Sequence, residues 1–146
     1  MENLLKERIV EIEGYLSDFR NLFVNIFNEM MKTGDAPKGI PSRLSQLKAL
    51  SAFSEDREYT MGELSRKVMV KMPSMTEMVD RLESSGIVSR VRDTVDRRVV
   101  KVQLTEKGKK VYNEFVDKRR QEMASILEKL DEKDQQKFVN SLKSVS

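Results

Sequence analysis

The sequence predicts a mainly α-helical fold with one small β-hairpin, in which a compact basic module sits between long helices at the two ends. Three observations lead there. Apolar residues from Leu5 to Met30 recur at alternating spacings of four and three. The stretch Thr60-Met61-Gly62-Glu63 has the form of a helix-capping box and opens the first of two short amphipathic segments. Finally, "RVRDTVDRRVVKVQLTEKG", residues 90–108, packs charges into a turn, alternates apolar with polar residues, and ends in Thr-Glu-Lys-Gly.

The first element is the seam Leu5, Ile9, Ile12, Leu16, Phe19, Phe23, Ile26 and Met30, which marks one helix. At about 1.5 Å per residue the seam is roughly 40 Å long. Tyr15, Leu22, Phe27 and Met31 form a second strip beside it, so the helix has to be covered from more than one side, and a second subunit is the expected cover. Gly14 marks a bend, a close approach or a tolerated weak point. "KTGDAPKGIPS", residues 32–42, reads as a loop from its Pro and Gly content. A helix follows with Leu44, Leu47, Leu50 and Phe53 inward, ended by "SEDRE".

The capping box then starts a short helix with Met61, Leu64 and Val68 inward. "MVKM" makes a turn, Pro73 fits the first position of a second helix, and Met75, Val79 and Leu82 give that helix its buried face before Gly86 stops it. Two short helices across a tight turn are the helix-turn-helix arrangement, whose second helix lies in the DNA major groove. Strands are expected over Ile87–Arg92 and Val99–Leu104, joined by the charged tip "DTVDRR". Thr105 caps a fresh helix through Val111, Phe115, Met123, Ile126 and Leu130, and "LDEKDQQKFVNSLKSV" makes a last one. The organisation is therefore one compact domain in three stretches: residues 1–56, a winged helix-turn-helix module over 57–110, and C-terminal helices over 111–146.

Composition narrows the chemistry. The sequence has no Cys and no His, which removes disulfides, thiol nucleophiles, the usual zinc ligand sets and an imidazole base. Without a Gly-rich phosphate loop or clustered carboxylates, neither an enzyme nor a cofactor is expected. No apolar run approaches the roughly 20 residues that span a bilayer, and "MENLLKERIVEIEG" is unlike a signal peptide, so the expected location is the cytoplasm with no membrane partner. The net charge of +3 is small, but it is unevenly spread. Residues 57–110 hold 13 basic against 8 acidic side chains, whereas residues 1–56 hold 7 against 9.

From Tyr59 to Gly108 the predicted order is strand stub, helix, turn, helix, strand, wing, strand and helix start. On "ELSRKV" (63–68), "MTEMVDRLESSGIVSR" (75–90) and "DTVDRRVVKVQLTEKG" (93–108), the sequence resembles the MarR family of transcription regulators. That resemblance implies a homodimer built by the N- and C-terminal helices, with two winged modules on a pseudo-palindromic double-stranded DNA operator. It also implies a small-molecule effector that binds between the dimerisation helices and the winged module and weakens DNA binding, so that the regulator is a repressor. The effector-binding residues stay unknown. Two departures stand out: Met69 occupies a turn position where the family usually has Gly, and Lys71 one where it has a small capping residue. Glu77 stands where many relatives have Arg.

The contact chemistry follows. In the wing, Arg97 enters a narrow minor groove while Arg98 braces the loop against Asp96, Asp93 or Asp80, or the two arginines exchange roles. Positions 71, 74, 77, 78 and 81 fall off the buried face of the second helix. Lys71 and Ser74 suit phosphates or base edges, Arg81 a phosphate or guanine, Thr76 DNA through its hydroxyl or a thymine through its methyl, and Glu77 cytosine N4. Arg66 and Lys67 are phosphate anchors, and Arg90 reaches the backbone from its strand. Met61, Met69, Met72, Met75 and Met78 read as gap-filling in a small core rather than as an oxidation sensor. The alternative from another class is a winged-helix protein-interaction module without operator recognition.

Overall fold

The computed structural model describes residues 2–34, 39–41 and 43–146, without the side chains of Glu2, Phe23 and Ile26. Two members of the expected seam and much of the expected loop over 32–42 therefore lie outside the described residues. The chain divides into two compact units, Met1–Ala36 and Pro37–Ser146. The first contains helix α1, Glu2–Thr33. It runs without interruption through Gly14, where an added Cβ would meet nothing within 4 Å, so this glycine is tolerated rather than required. Leu5, Ile9, Ile12, Leu16 and Tyr15 are all exposed on it.

The second unit begins with α2, Leu44–Leu50. Leu47 and Leu50 are buried, but Leu44 is exposed, because it opens a seven-residue helix whose inward face begins one turn later. Phe53 is buried just beyond the helix and meets Tyr59 edge-on, with ring centroids 5.5 Å apart. Strand β1, Tyr59–Thr60, leads into α3, Met61–Val68, through the capping box. The Glu63 amide donates to Thr60 Oγ1 at 3.1 Å, and the Thr60 amide donates to Glu63 Oε2 at 2.7 Å. This pairing satisfies two amides that the helix start would otherwise strand, and the Thr60 N–H lowers the Glu63 pKa.

Helix α4, Met72–Ser84, starts one residue before Pro73. Strands β2, Val88–Arg92, and β3, Val100–Leu104, form the hairpin, and β1 adds on the other side of β3, giving the antiparallel order β1-β3-β2. Tyr59 pairs with Val102, and Arg90 pairs with Val102 from the opposite side, so Val102 sits at the centre of the sheet and is buried. Leu64, Met75, Val79, Leu82, Ile87 and Val88 join it in one core with Leu50 and Phe53. Each such side chain, fully buried, stabilises the fold by about 1.5–3 kcal/mol. Helices α5, Glu106–Leu127, and α6, Glu132–Val145, follow; α5 runs without a break and ends before Leu130, which the sequence had placed on it. On α6, Phe138, Val139, Leu142 and Val145 are exposed. No helix among the described residues is long and apolar enough to cross a membrane.

Candidate nucleic-acid interface

The turn between α3 and α4 carries the departure at Met69. Its backbone lies in the left-handed region at φ 56°, and its amide donates to the Arg66 carbonyl while that of Val70 donates to Ser65. A C-terminal helix cap of this geometry favours glycine, because a Cβ crowds the following carbonyl. The turn therefore keeps the geometry that a glycine would give, and methionine adopts it at a cost. Met69 is also 85% exposed, and Met72 is exposed at the entry to α4. Of the five methionines expected in the core, Met75 is buried and Met61 and Met78 pack against the core, but Met69 and Met72 do not. The turn lifts these two clear of it.

Lys71 is the N-cap of α4 but supplies no side-chain hydrogen bond, so the first amides of this helix are not capped by it. Lys71, Ser74, Thr76 and Glu77 are exposed along one stretch of α4, whereas Met78 turns partly inward. The Thr76 hydroxyl donates to the Met72 carbonyl at 3.0 Å, so the helix itself takes that proton. Arg81 donates to Glu77 Oε1 at 2.7 Å. This exposed pair one turn apart is worth about 0.3–0.5 kcal/mol and joins two candidate readers into one unit. On α3, Arg66 is exposed, while Lys67 donates to Ser54 Oγ at 2.8 Å and lies 5.1 Å from the centre of the Tyr59 ring.

Arg90 has a structural occupation. Its guanidinium donates to Asp80 at 2.5 Å and to Glu83 at 2.8 Å, and its own amide donates to the other Glu83 oxygen at 3.1 Å. The bonds bind β2 to α4, and Asp80 is engaged there rather than in the wing loop. Glu83, which the sequence reading passed over, lies three residues after Asp80 and so shares its helical face.

Two pairs of charged side chains, Asp93 with Lys101 and Asp96 with Arg98, organise the wing loop, residues 93–99. Asp93 Oδ1 accepts from the amides of Val95 at 2.7 Å and Asp96 at 3.1 Å, while Oδ2 accepts from Lys101 Nζ at 2.6 Å. The Lys101 ammonium, followed by those two amides, holds the Asp93 pKa down to about 2. Lys101 was also missed, although its place opposite Val100 and Val102 in the alternation put it on the outer face. Asp96 Oδ1 accepts from the Arg98 amide at 3.0 Å and from Arg98 Nε at 3.2 Å. Arg97 is exposed and makes no side-chain hydrogen bond or ion pair with any described residue.

The base of the wing explains the Thr-Glu-Lys-Gly. Thr105 Oγ1 donates to the Gly86 carbonyl at 2.5 Å and accepts from the Gly108 amide at 3.0 Å, capping α5. Lys107 Nζ donates to the Ser85 carbonyl at 2.9 Å, at the end of α4. A Cβ on Gly108 would lie 1.9 Å from the Ile87 carbonyl oxygen, so only glycine permits α5 to pass so close to the start of β2. This four-residue stretch is thus a clasp between α4, β2 and α5.

The chain is similar in sequence and fold to known proteins. The model of the MarR family matches residues 43–100. The repressor MdtR of Bacillus subtilis is 30% identical over 113 residues, covering 77% of this chain and 71% of that protein. The chain belongs to the MarR family. A MarR family protein from Bacillus stearothermophilus is 30% identical, with a TM-score of 0.65 and coverage of 91% and 94% of the two chains. FabT of Streptococcus pneumoniae, solved in complex with DNA, has the same fold at a TM-score of 0.77 and 22% identity, covering 92% of each chain. The chain spans about two thirds of the length of the curated relatives it matches. As a MarR-family protein it is a winged helix-turn-helix transcription regulator.

Proposed function

We propose that this MarR-family protein is a homodimeric repressor of the cytoplasm that binds a pseudo-palindromic double-stranded DNA operator and is released by a small-molecule effector. Each subunit lays α4 in a major groove and its wing in the adjoining minor groove. The observation that carries this reading is the isolation of Arg97. Asp93 and Lys101 are paired beneath the wing and Asp96 takes Arg98, whereas the Arg97 guanidinium stands exposed on the loop without a partner among the described residues, as does that of Arg92 at the end of β2. A narrow minor groove concentrates negative potential and attracts such a group. Lys71, Ser74 and the Glu77–Arg81 pair then face base edges and phosphates, Thr76 offers its methyl to a thymine, and Arg66 anchors a phosphate. Lys67 does so only by leaving Ser54, and Arg90 acts by fixing the hairpin to α4.

The protein works by binding and not by bond-making, a reading supported by a sequence without Cys or His. The DNA-bound pneumococcal neighbour supports the same use of the fold. The test is selection of bound sites from random DNA followed by fluorescence anisotropy on the best site. Two half-sites about one helical turn apart are expected. Arg97→Ala weakens binding by about fivefold to a hundredfold, at roughly 1–3 kcal/mol per good base-level contact. Unchanged binding by both Arg97→Ala and Arg98→Ala would overturn the wing assignment.

A further inference from the structure

Within residues 57–110 the exposed large hydrophobic side chains are Met69, Met72 and Val95. Single exposed apolar residues are ordinary on a protein surface, but the placement of these is not scattered. Two lie at the entry to the recognition helix and the third at the tip of the wing. Val95 is the extreme case, 95% exposed. Turn positions favour Gly, Asn, Asp and Ser, and a β-branched residue held in water gains the free protein nothing. The loop nevertheless fixes this residue, because the Val95 amide is bound by Asp93 Oδ1 at 2.7 Å. Val95 and Arg97 flank Asp96, whose carboxylate turns to Arg98.

We infer that Val95 is an apolar minor-groove contact, an inference that rests on the operator-binding reading above. Its isopropyl group seats against the deoxyribose and base-edge walls beside the Arg97 guanidinium. Such a wedge opens the groove only at its own step, next to the narrow stretch that takes Arg97, and the base steps that yield at least cost are pyrimidine–purine steps such as TA and CA/TG. The wing therefore combines two demands: Arg97 favours negative potential, and Val95 favours a deformable step at the outer flank of each half-site. This is sequence preference without a hydrogen bond to any base.

The experiment compares the full-length wild type with Val95→Thr, which keeps the shape and replaces a methyl by a hydroxyl, and with Arg97→Ala. Sites are selected from random DNA for each, and affinity is measured between 50 and 200 mM salt, a range over which phosphate contacts dominate the slope. Val95→Thr is expected to melt like the wild type and to bind the wild-type site about three- to tenfold more weakly. Its salt slope stays unchanged, and its selected sites lose the pyrimidine–purine enrichment at the flanks. Unaltered affinity, or a loss shared equally by all flanking steps, overturns the role of Val95. If Arg97→Ala still loses binding in that case, the operator reading stands without it. If the wild type enriches no site at all, both fall together.

Discussion

Arg97 and Arg98 are covalent neighbours of identical chemistry, and one carboxylate gives them different surroundings. Asp96 accepts from Arg98 and leaves Arg97 unpaired among the described residues, so Arg98→Ala is expected to weaken operator binding several-fold less than Arg97→Ala in the same anisotropy titration. The sequence alone left the pairing open, because which of two adjacent side chains meets Asp96 depends on the loop's backbone path. Asp93 has an equally specific task. Its carboxyl titrates at about 2 in the folded wing against 3.8 ordinarily, so the stabilisation it supplies is complete above the ordinary value and drains away as pH falls from about 4 towards 2. Carbon-13 NMR of the Asp93 carboxyl is expected to give a midpoint near 2 in the wild type, and a midpoint nearer the ordinary value in Lys101→Met. Met69 stands where the family resemblance led us to expect glycine and an altered turn, but the turn keeps its left-handed geometry and the cost falls on the Met69 backbone. Met69→Gly is expected to raise stability by about 0.5–1 kcal/mol in urea unfolding, by relieving the left-handed backbone.

The elements were legible wherever a periodic apolar face coincided with a capping residue. Thr60 and Glu63 announced α3, and Met75, Val79 and Leu82 announced the buried face of α4, because both signals are local. The hairpin was legible from the alternation through Val100, Val102 and Leu104. What the sequence could not show was how the elements grip one another, since the Arg90–Asp80–Glu83 network and the Lys107–Ser85 bond join residues through the fold. Leu44 misled for a related reason: periodicity gives a face but not where along a helix that face meets the core. The junction of β2 and α5 has the least slack. Gly108→Ala places a methyl within 1.9 Å of the Ile87 carbonyl oxygen and is expected to cost more than about 2 kcal/mol, read as a lowered midpoint in thermal unfolding.

At the scale of the whole protein, apolar surface is left over where one subunit ends. Ile9, Ile12 and Leu16 on α1, and Phe138 and Leu142 on α6, are exposed in the single chain. A dimer would cover them, as the long heptad seam led us to expect, and light scattering at micromolar concentration is the check. Ile12→Glu together with Leu16→Glu is expected to shift the protein to monomer and to cut operator affinity by orders of magnitude, because one subunit reaches only one half-site. The clasp at Thr105 and Lys107 sets how such a pair behaves. It ties the end of α4 to the start of α5 within each subunit, so in the proposed dimer on its operator a tilt of α5 would carry α4 with it. Calipers so stiff measure distance: inserting a few base pairs between the half-sites should be punished, not accommodated.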